Sequence, residues 1–199
     1  MKYFDYSHAE MEYLKDVDPI LGKEIERLGM VKREIETDIF VALISSIVSQ
    51  QISIKAAATV YNRLLDLAGG ITGEKISKLK SEDIQKCGMT LRKAEYIKGI
   101  AAASLDGTID LDGLHRLPDE WVIKELTKLK GVGEWTAEML LIHSLQRPNV
   151  LSYKDLGIRR GMMRLYGLEE ISKADFEIYR KRYHPHNTVA SIYLWELSK

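Results

Sequence analysis

The chain has 199 residues and a mass of 22.7 kDa, enough for one sizeable core or two small lobes sharing one. Its 45% hydrophobic and 29% charged residues are those of an ordinary soluble globular protein, and 29 basic residues against 29 acidic leave no net charge. That balance argues mildly against a protein held to nucleic acid by charge alone, but it is compatible with a basic face and an acidic back. The single cysteine, Cys87, excludes an intramolecular disulfide, a four-cysteine zinc site and a four-cysteine iron–sulfur cluster. No apolar run approaches the roughly 20 residues that span a bilayer, and MKYFDYSHAEMEYLKD lacks a signal-peptide core, so a cytoplasmic location is the default.

Four prolines and long apolar-periodic runs predict an all-α protein. Ser7 to Leu28 reads as one or two short helices broken near Asp18-Pro19. DIFVALISSIVSQQ has the apolar density of a buried helix, with Asp38 as its N-cap. SIKAAATVYNRLLDLAGG makes the next helix, from a cap at Ser53 to a stop at Gly69-Gly70. SEDIQKCG carries a capping signal at Ser81, and LRKAEYIKGIAAASLDG closes at Gly107. WVIKELTKLK, GEWTAEMLLIHSL, DLGIRRGMMRLYG and HNTVASIYLWELS complete the set, with no series of alternating strands. Basic clusters at Arg92 and Lys93, at Lys124, Lys128 and Lys130, at Arg159, Arg160 and Arg164, and at Arg180 to Arg182 read as solvated helix faces or as a phosphate-facing surface.

LKGVGEWTAEMLL, residues 129–141, places Gly131 and Gly133 between two helical runs. A dinucleotide fingerprint needs a preceding strand and a third glycine, whereas here the preceding run is helical and Thr136 holds the third place. What remains is helix, tight glycine turn, helix. Glycines let a phosphate approach the backbone, and the following helix N-terminus favours an anion. The carbonyls of Thr127, Leu129 and Val132 can hold a monovalent cation, Na+ or K+, that bridges to that phosphate. A plain αα-hairpin, in which glycine ends the first helix, explains the turn equally well.

The turn does not stand alone. L-K-G-V-G-E-W-T-A followed by N-V-L-S-Y-K-D-L-G-I-R-R-G resembles the helix–hairpin–helix base-excision DNA glycosylases. FVALISSIVSQQISIKAA (40–57), GMTLRKAEYIKGIAAA (88–103) and HPHNTVASIYLW (184–195) are similar to the alkylbase branch, the 3-methyladenine DNA glycosylase II type. The similarity covers roughly residues 35–197 in family order. It implies a two-lobed all-α fold, with lobes near 50–150 and 1–49 plus 151–199 and an active-site cleft between them. It also implies a minimal form, because the first ~30 residues are too few for the β-rich N-terminal domain of some members.

The resemblance carries roles onto particular residues. Asp155, 22 residues beyond Gly133, matches the catalytic aspartate, although an Asp at that helix start is also a natural N-cap. Trp135 and Trp195 match base-pocket positions, where aromatic faces suit cationic alkylated purines. Leu91 matches the wedge that fills a vacated base step. Gln50 and Gln51, together with Gly131, Gly133 and Thr136, are the expected DNA contacts. Trp135 stands where lyase-type members carry a lysine, which implies a monofunctional enzyme. Two departures are Lys154, in S-Y-K-D where the family often shows a second acid, and P-H-N-T, where relatives commonly carry an arginine before the hydroxyl residue. His184 and His186 lack a matching ligand pattern and read as surface or DNA-facing residues.

The expectation is therefore a monomeric glycosylase acting on damaged bases in double-stranded DNA. It requires no cofactor, with the hairpin offering a site for a structural Na+ or K+, and has no iron–sulfur cluster and no membrane partner. The alternatives are a glycosylase/lyase for oxidised or mismatched bases and a non-catalytic DNA-binding module.

Overall fold

A computed structural model describes residues 2–199. Its helices are α1 (His8–Val17), α2 (Pro19–Leu28), α3 (Ile39–Ser49), α4 (Ile54–Ala68), α5 (Gly73–Lys78), α6 (Ser81–Gln85), α7 (Leu91–Leu105), α8 (Asp119–Leu126), α9 (Glu134–His143), α10 (Leu156–Tyr166), α11 (Lys173–Tyr183) and α12 (Asn187–Leu197). Two antiparallel strands of two residues each, β1 (Lys2–Tyr3) and β2 (Glu34–Ile35), are too short for their alternation to be read from sequence. The all-α expectation holds.

The chain forms two compact units, Met1–Ile35 with Leu141–Lys199, and Glu36–Leu140. The division differs from lobes set at 50 and 150. Helix α3 packs on α4 and α7 and so belongs wholly to the second unit, and the later boundary falls inside α9.

In the second unit, α3 turns Leu43, Ile44, Ile47 and Val48 into the core against Ala94, Ile97 and Ala101 of α7. Asp38 caps α3 by accepting from the Val41 N–H at 3.0 Å, and Ser53 caps α4. Gly69 closes α4 in the left-handed conformation. The cap at Ser81 is displaced by one residue: Lys80 occupies the N-cap position, and Ser81 is the first helical residue. Lys93 and Lys98 are not solvated-face lysines. Each turns its ammonium onto the last carbonyls of another segment, Lys93 onto Val48 and Gln50 and Lys98 onto Ser77 and Leu79.

In the first unit, α10 and α12 are closely packed, and Asn187 to Trp195 of α12 are all buried. A Cβ at Gly161 would lie 2.0 Å from the Leu194 carbonyl oxygen, so only glycine permits this approach. Asp18 joins α2 to α10 and α11. Its Oδ1 accepts from the Ile20 and Leu21 N–H groups, and its Oδ2 from Tyr166 at 2.6 Å and Arg182 at 2.7 Å. Burial opposes ionisation of Asp18, but the Tyr166, Leu21 and Arg182 hydrogen bonds outweigh it and hold the carboxyl below its ordinary value. Tyr166→Phe should therefore destabilise the protein by about 1–3 kcal/mol, read as a lowered melting temperature, because it removes a donor from a buried charge.

Candidate active site

Helix α8 ends in a tightened turn, with the Leu129 N–H on the Leu126 carbonyl and the Val132 N–H on the Leu129 carbonyl, each at 3.1 Å. The two glycines that follow are glycine for different reasons. Gly131 has φ +89°, and a Cβ there would lie 2.3 Å from the Tyr96 ring, so the hairpin sits on α7 through a bare backbone. A Cβ at Gly133 would meet nothing within 4 Å. The space beside Gly133 is open, which leaves room for an outside group to approach the N-terminus of α9, where glycine is also a favoured cap. The Leu129 carbonyl accepts from the Val132 N–H and has a second lone pair.

The remaining predicted contacts of this unit part company. The Gln50 side chain donates to the Gly131 carbonyl at 2.9 Å and stitches the end of α3 to the hairpin. Gln51 is exposed at φ +59°, a left-handed conformation that costs a non-glycine residue roughly 1 kcal/mol or more. Leu91, just after the Thr90 cap, and Trp135, in the first turn of α9, are both exposed. Thr136 is buried, so little of it is open to the expected DNA contact. A groove of about 860 Å³ elsewhere in this unit, lined in part by Asp38, Glu74, Asp110 and Asp112, contains none of these residues, and its carboxylates would repel phosphate.

In the first unit, Asp155 is the N-cap of α10 and is buried, at 6% exposure. Its Oδ1 accepts both the Ile158 N–H at 2.8 Å and the indole N–H of Trp195 at 3.0 Å. The two readings of Asp155, cap and site carboxylate, therefore coexist in one oxygen. Trp195 is 8% exposed, and its ring lies against the His143 imidazole, centroids 5.4 Å apart, and under the Arg33 guanidinium at 4.5 Å. Burial and then the Arg33 charge pull His143 down to about pKa 4, against the opposing pull of the Glu34 backbone hydrogen bond and the Asp155 charge. Its imidazole is thus neutral at pH 7.

Sequence reasoning missed Arg33 and His143. A lone histidine in the apolar run MLLIHSL was the available signal, whereas Arg33 carried none. The two departures resolve differently. Lys154 is exposed beside Asp155. Asn187, in place of the arginine, is a buried packing residue that donates to the Asn149 side chain at 2.6 Å and to the Arg180 carbonyl at 3.0 Å. His184 accepts or donates at Asn149, and His186 packs edge-on against Tyr13. Among the described residues no three His, Cys, Asp or Glu side chains cluster as a metal site.

The glycine hairpin at the start of α9 and the buried aspartate that caps α10 fit a helix–hairpin–helix repair protein. The chain belongs to the HhH-GPD superfamily of base excision DNA repair proteins, whose model matches residues 44–185. It is 37% identical over 162 residues to DNA-3-methyladenine glycosylase 1 of Schizosaccharomyces pombe, covering 79% of this chain and 71% of the relative. The fold matches the crystal structure of a DNA-3-methyladenine glycosidase from Bacillus halodurans with a TM-score of 0.88 and 37% identity, covering 100% of this chain and 93% of that one. It also matches the S. pombe 3-methyladenine DNA glycosylase in complex with abasic DNA, with a TM-score of 0.84 and 33% identity over 94% and 95% of the two chains. Arg33 and Trp195 lie outside the matched stretch.

Gly133→Ala should lower the melting temperature little, costing less than about 1 kcal/mol at a helix start. It should weaken duplex binding severalfold, as read by fluorescence anisotropy; unchanged binding would remove the reason given for this glycine. For His143, the folded pKa of about 4 lies below the unfolded 6.5, so the unfolded state binds more protons between them. Its contribution to stability is complete above about pH 6.5 and is lost as pH falls through 4. Melting curves of His143→Phe from pH 7 to 4 should fall less steeply than those of the wild type.

Proposed function

We infer that this chain is a monofunctional DNA glycosylase that hydrolyses the N-glycosidic bond of alkylated purines, of the 3-methyladenine and 7-methylguanine type, in duplex DNA and leaves an abasic site. The observation that carries the reading is the Asp155 carboxylate, buried at the start of α10 with two N–H donors on one oxygen. The names of the relatives support the alkylated-base class.

The chemistry follows from the substrate. To reach the C1′–N bond the enzyme must take the base out of the stack, with Leu91 filling the gap. An alkylated purine already carries positive charge and leaves readily, so little general acid is needed. The sugar becomes oxocarbenium-like as the bond stretches, and an anion held beside it lowers that barrier. The same carboxylate orients or deprotonates the attacking water. The hairpin grips phosphate through backbone alone, which makes the grip independent of base sequence. A Na+ or K+ on the Thr127, Leu129 and Val132 carbonyls would add a fixed positive charge for that phosphate.

Trp135, where lyase-type members have lysine, supports hydrolysis without strand cleavage. The partner in this reading is double-stranded DNA bearing a damaged base, bound by a monomer in the cytoplasm. No described helix is long and apolar enough to cross a membrane.

The test is release of methylated bases from alkylated duplex DNA by the wild type and by Asp155→Asn. Loss of release by at least about 100-fold with duplex binding kept is the expected outcome, the scale of a removed transition-state electrostatic contact. Release at the wild-type rate would end the assignment of Asp155. Strand nicks before alkali treatment would instead indicate a lyase, with Lys154 as the amine at hand.

A further inference from the structure

Trp195 is buried, and protein groups already lie against its ring, which leaves less of it for a flipped base to stack on. His143 lies nearly parallel to it at 23°, and the Arg33 guanidinium lies over it at 4.5 Å. What the indole does present is its N–H, and that points at Asp155 Oδ1. The backbone beneath is shaped for this contact. A Cβ at Gly157 would lie 2.9 Å from the indole Cδ1 and 3.1 Å from Asp155 Oδ1, so a side chain there would push the indole off the carboxylate. Glycine in the first turn of a helix has no propensity advantage to explain it.

We propose that Trp195 is a positioning residue for Asp155, with its indole N–H fixing the carboxylate, Gly157 providing the clearance and Arg33 holding the indole plane. This rests on the reading of Asp155 as the carboxylate that faces the reacting sugar. Rate enhancement from a fixed charge depends on the charge not having to reorganise during the reaction, and a carboxylate free to rotate would lose that. The Ile158 N–H reaches Oδ1 from α10 and the indole N–H reaches the same oxygen from α12, so the indole adds a second constraint on the carboxylate. Arg33 also stands among the charged groups around the carboxylate. It feels both Asp155 and Glu196, and burial lowers its pKa against their pull.

The experiment compares single-turnover base release from methylated duplex DNA with the Kd for a duplex holding one abasic-site analogue, for Trp195→Phe, Gly157→Ala and Arg33→Met. Trp195→Phe keeps an aromatic ring and removes the N–H. It should slow release at least about tenfold, the scale of a lost hydrogen bond to a charged group, while Kd stays within about twofold. Gly157→Ala should do the same by displacing an intact indole, and Arg33→Met should produce a smaller loss in the same direction. Melting curves establish that each variant is folded. If Trp195→Phe fails to fold, Gly157→Ala and Arg33→Met decide the matter by the same readout.

Release at the wild-type rate by a folded Trp195→Phe, or by Gly157→Ala and Arg33→Met together, would overturn the proposal. So would equal losses of rate and duplex affinity, which would place the ring against the DNA. Asp155→Asn run beside them separates the two ideas. If it is inactive while Trp195→Phe is fully active, only the positioning role fails. If it is fully active, the catalytic reading of Asp155 fails first.

Discussion

One carboxylate oxygen, Oδ1 of Asp155, joins two helices: it receives a backbone N–H from α10 and an indole N–H from α12. For both donors to reach it, the helices must approach more closely than side chains normally allow. Two bare positions four residues apart on α10, Gly157 and Gly161, lie on one face and provide the clearance, one under the indole and one under the Leu194 carbonyl. Each glycine costs about 1 kcal/mol of helix propensity relative to alanine. That cost is offset by a core in which nine consecutive residues of α12 are buried.

The first unit contains a second buried aspartate that caps a helix, and the contrast is instructive. Asp18 is 1% exposed, and both of its oxygens are engaged by main-chain donors, a tyrosine and an arginine. A carboxylate satisfied in this way is a fastening between α2, α10 and α11. Asp155 performs the same capping and accepts the Trp195 indole N–H on the same oxygen, and a nearby cation, Arg33, is laid on that indole. Identical local chemistry at a helix start thus yields a rivet in one place and a candidate reactive group in another. The surroundings make the difference, and the cap does not.

Much of this was legible because it is local. Asp38, Ser53 and Asp155 precede apolar-periodic runs and cap them, and Gly69 ends one in the expected left-handed conformation. The hairpin was visible as two glycines between helices. Helix α11 was not read as such because KADFEIYRKRY buries only Phe176 and Tyr183, too few to set a period, and α5 is only six residues long. Gln50, expected as a DNA contact, and Lys93, read as part of a solvated or phosphate-facing cluster, tie segments together through contacts 81 and 45 residues away in sequence. Arg33 and His143 were invisible for the same reason. Their role is to lie on one tryptophan ring, and nothing near them in the chain encodes it.

The first unit is discontinuous, built from both sides of residues 36–140, and Asp18 bonds to Arg182 and Tyr13 to the His184 carbonyl across more than 160 positions. A ribosome therefore delivers α1 and α2, with Leu14, Leu21 and Ile25 needing cover, long before α10 to α12 exist to cover them. The second unit, by contrast, is contiguous and is synthesised whole in between. Vectorial synthesis thus delivers every residue of the hairpin first, and the Asp155–Trp195 contact can form only when the last helix has emerged. A nascent chain arrested short of α12 would hold every residue of the hairpin but an aspartate without its indole.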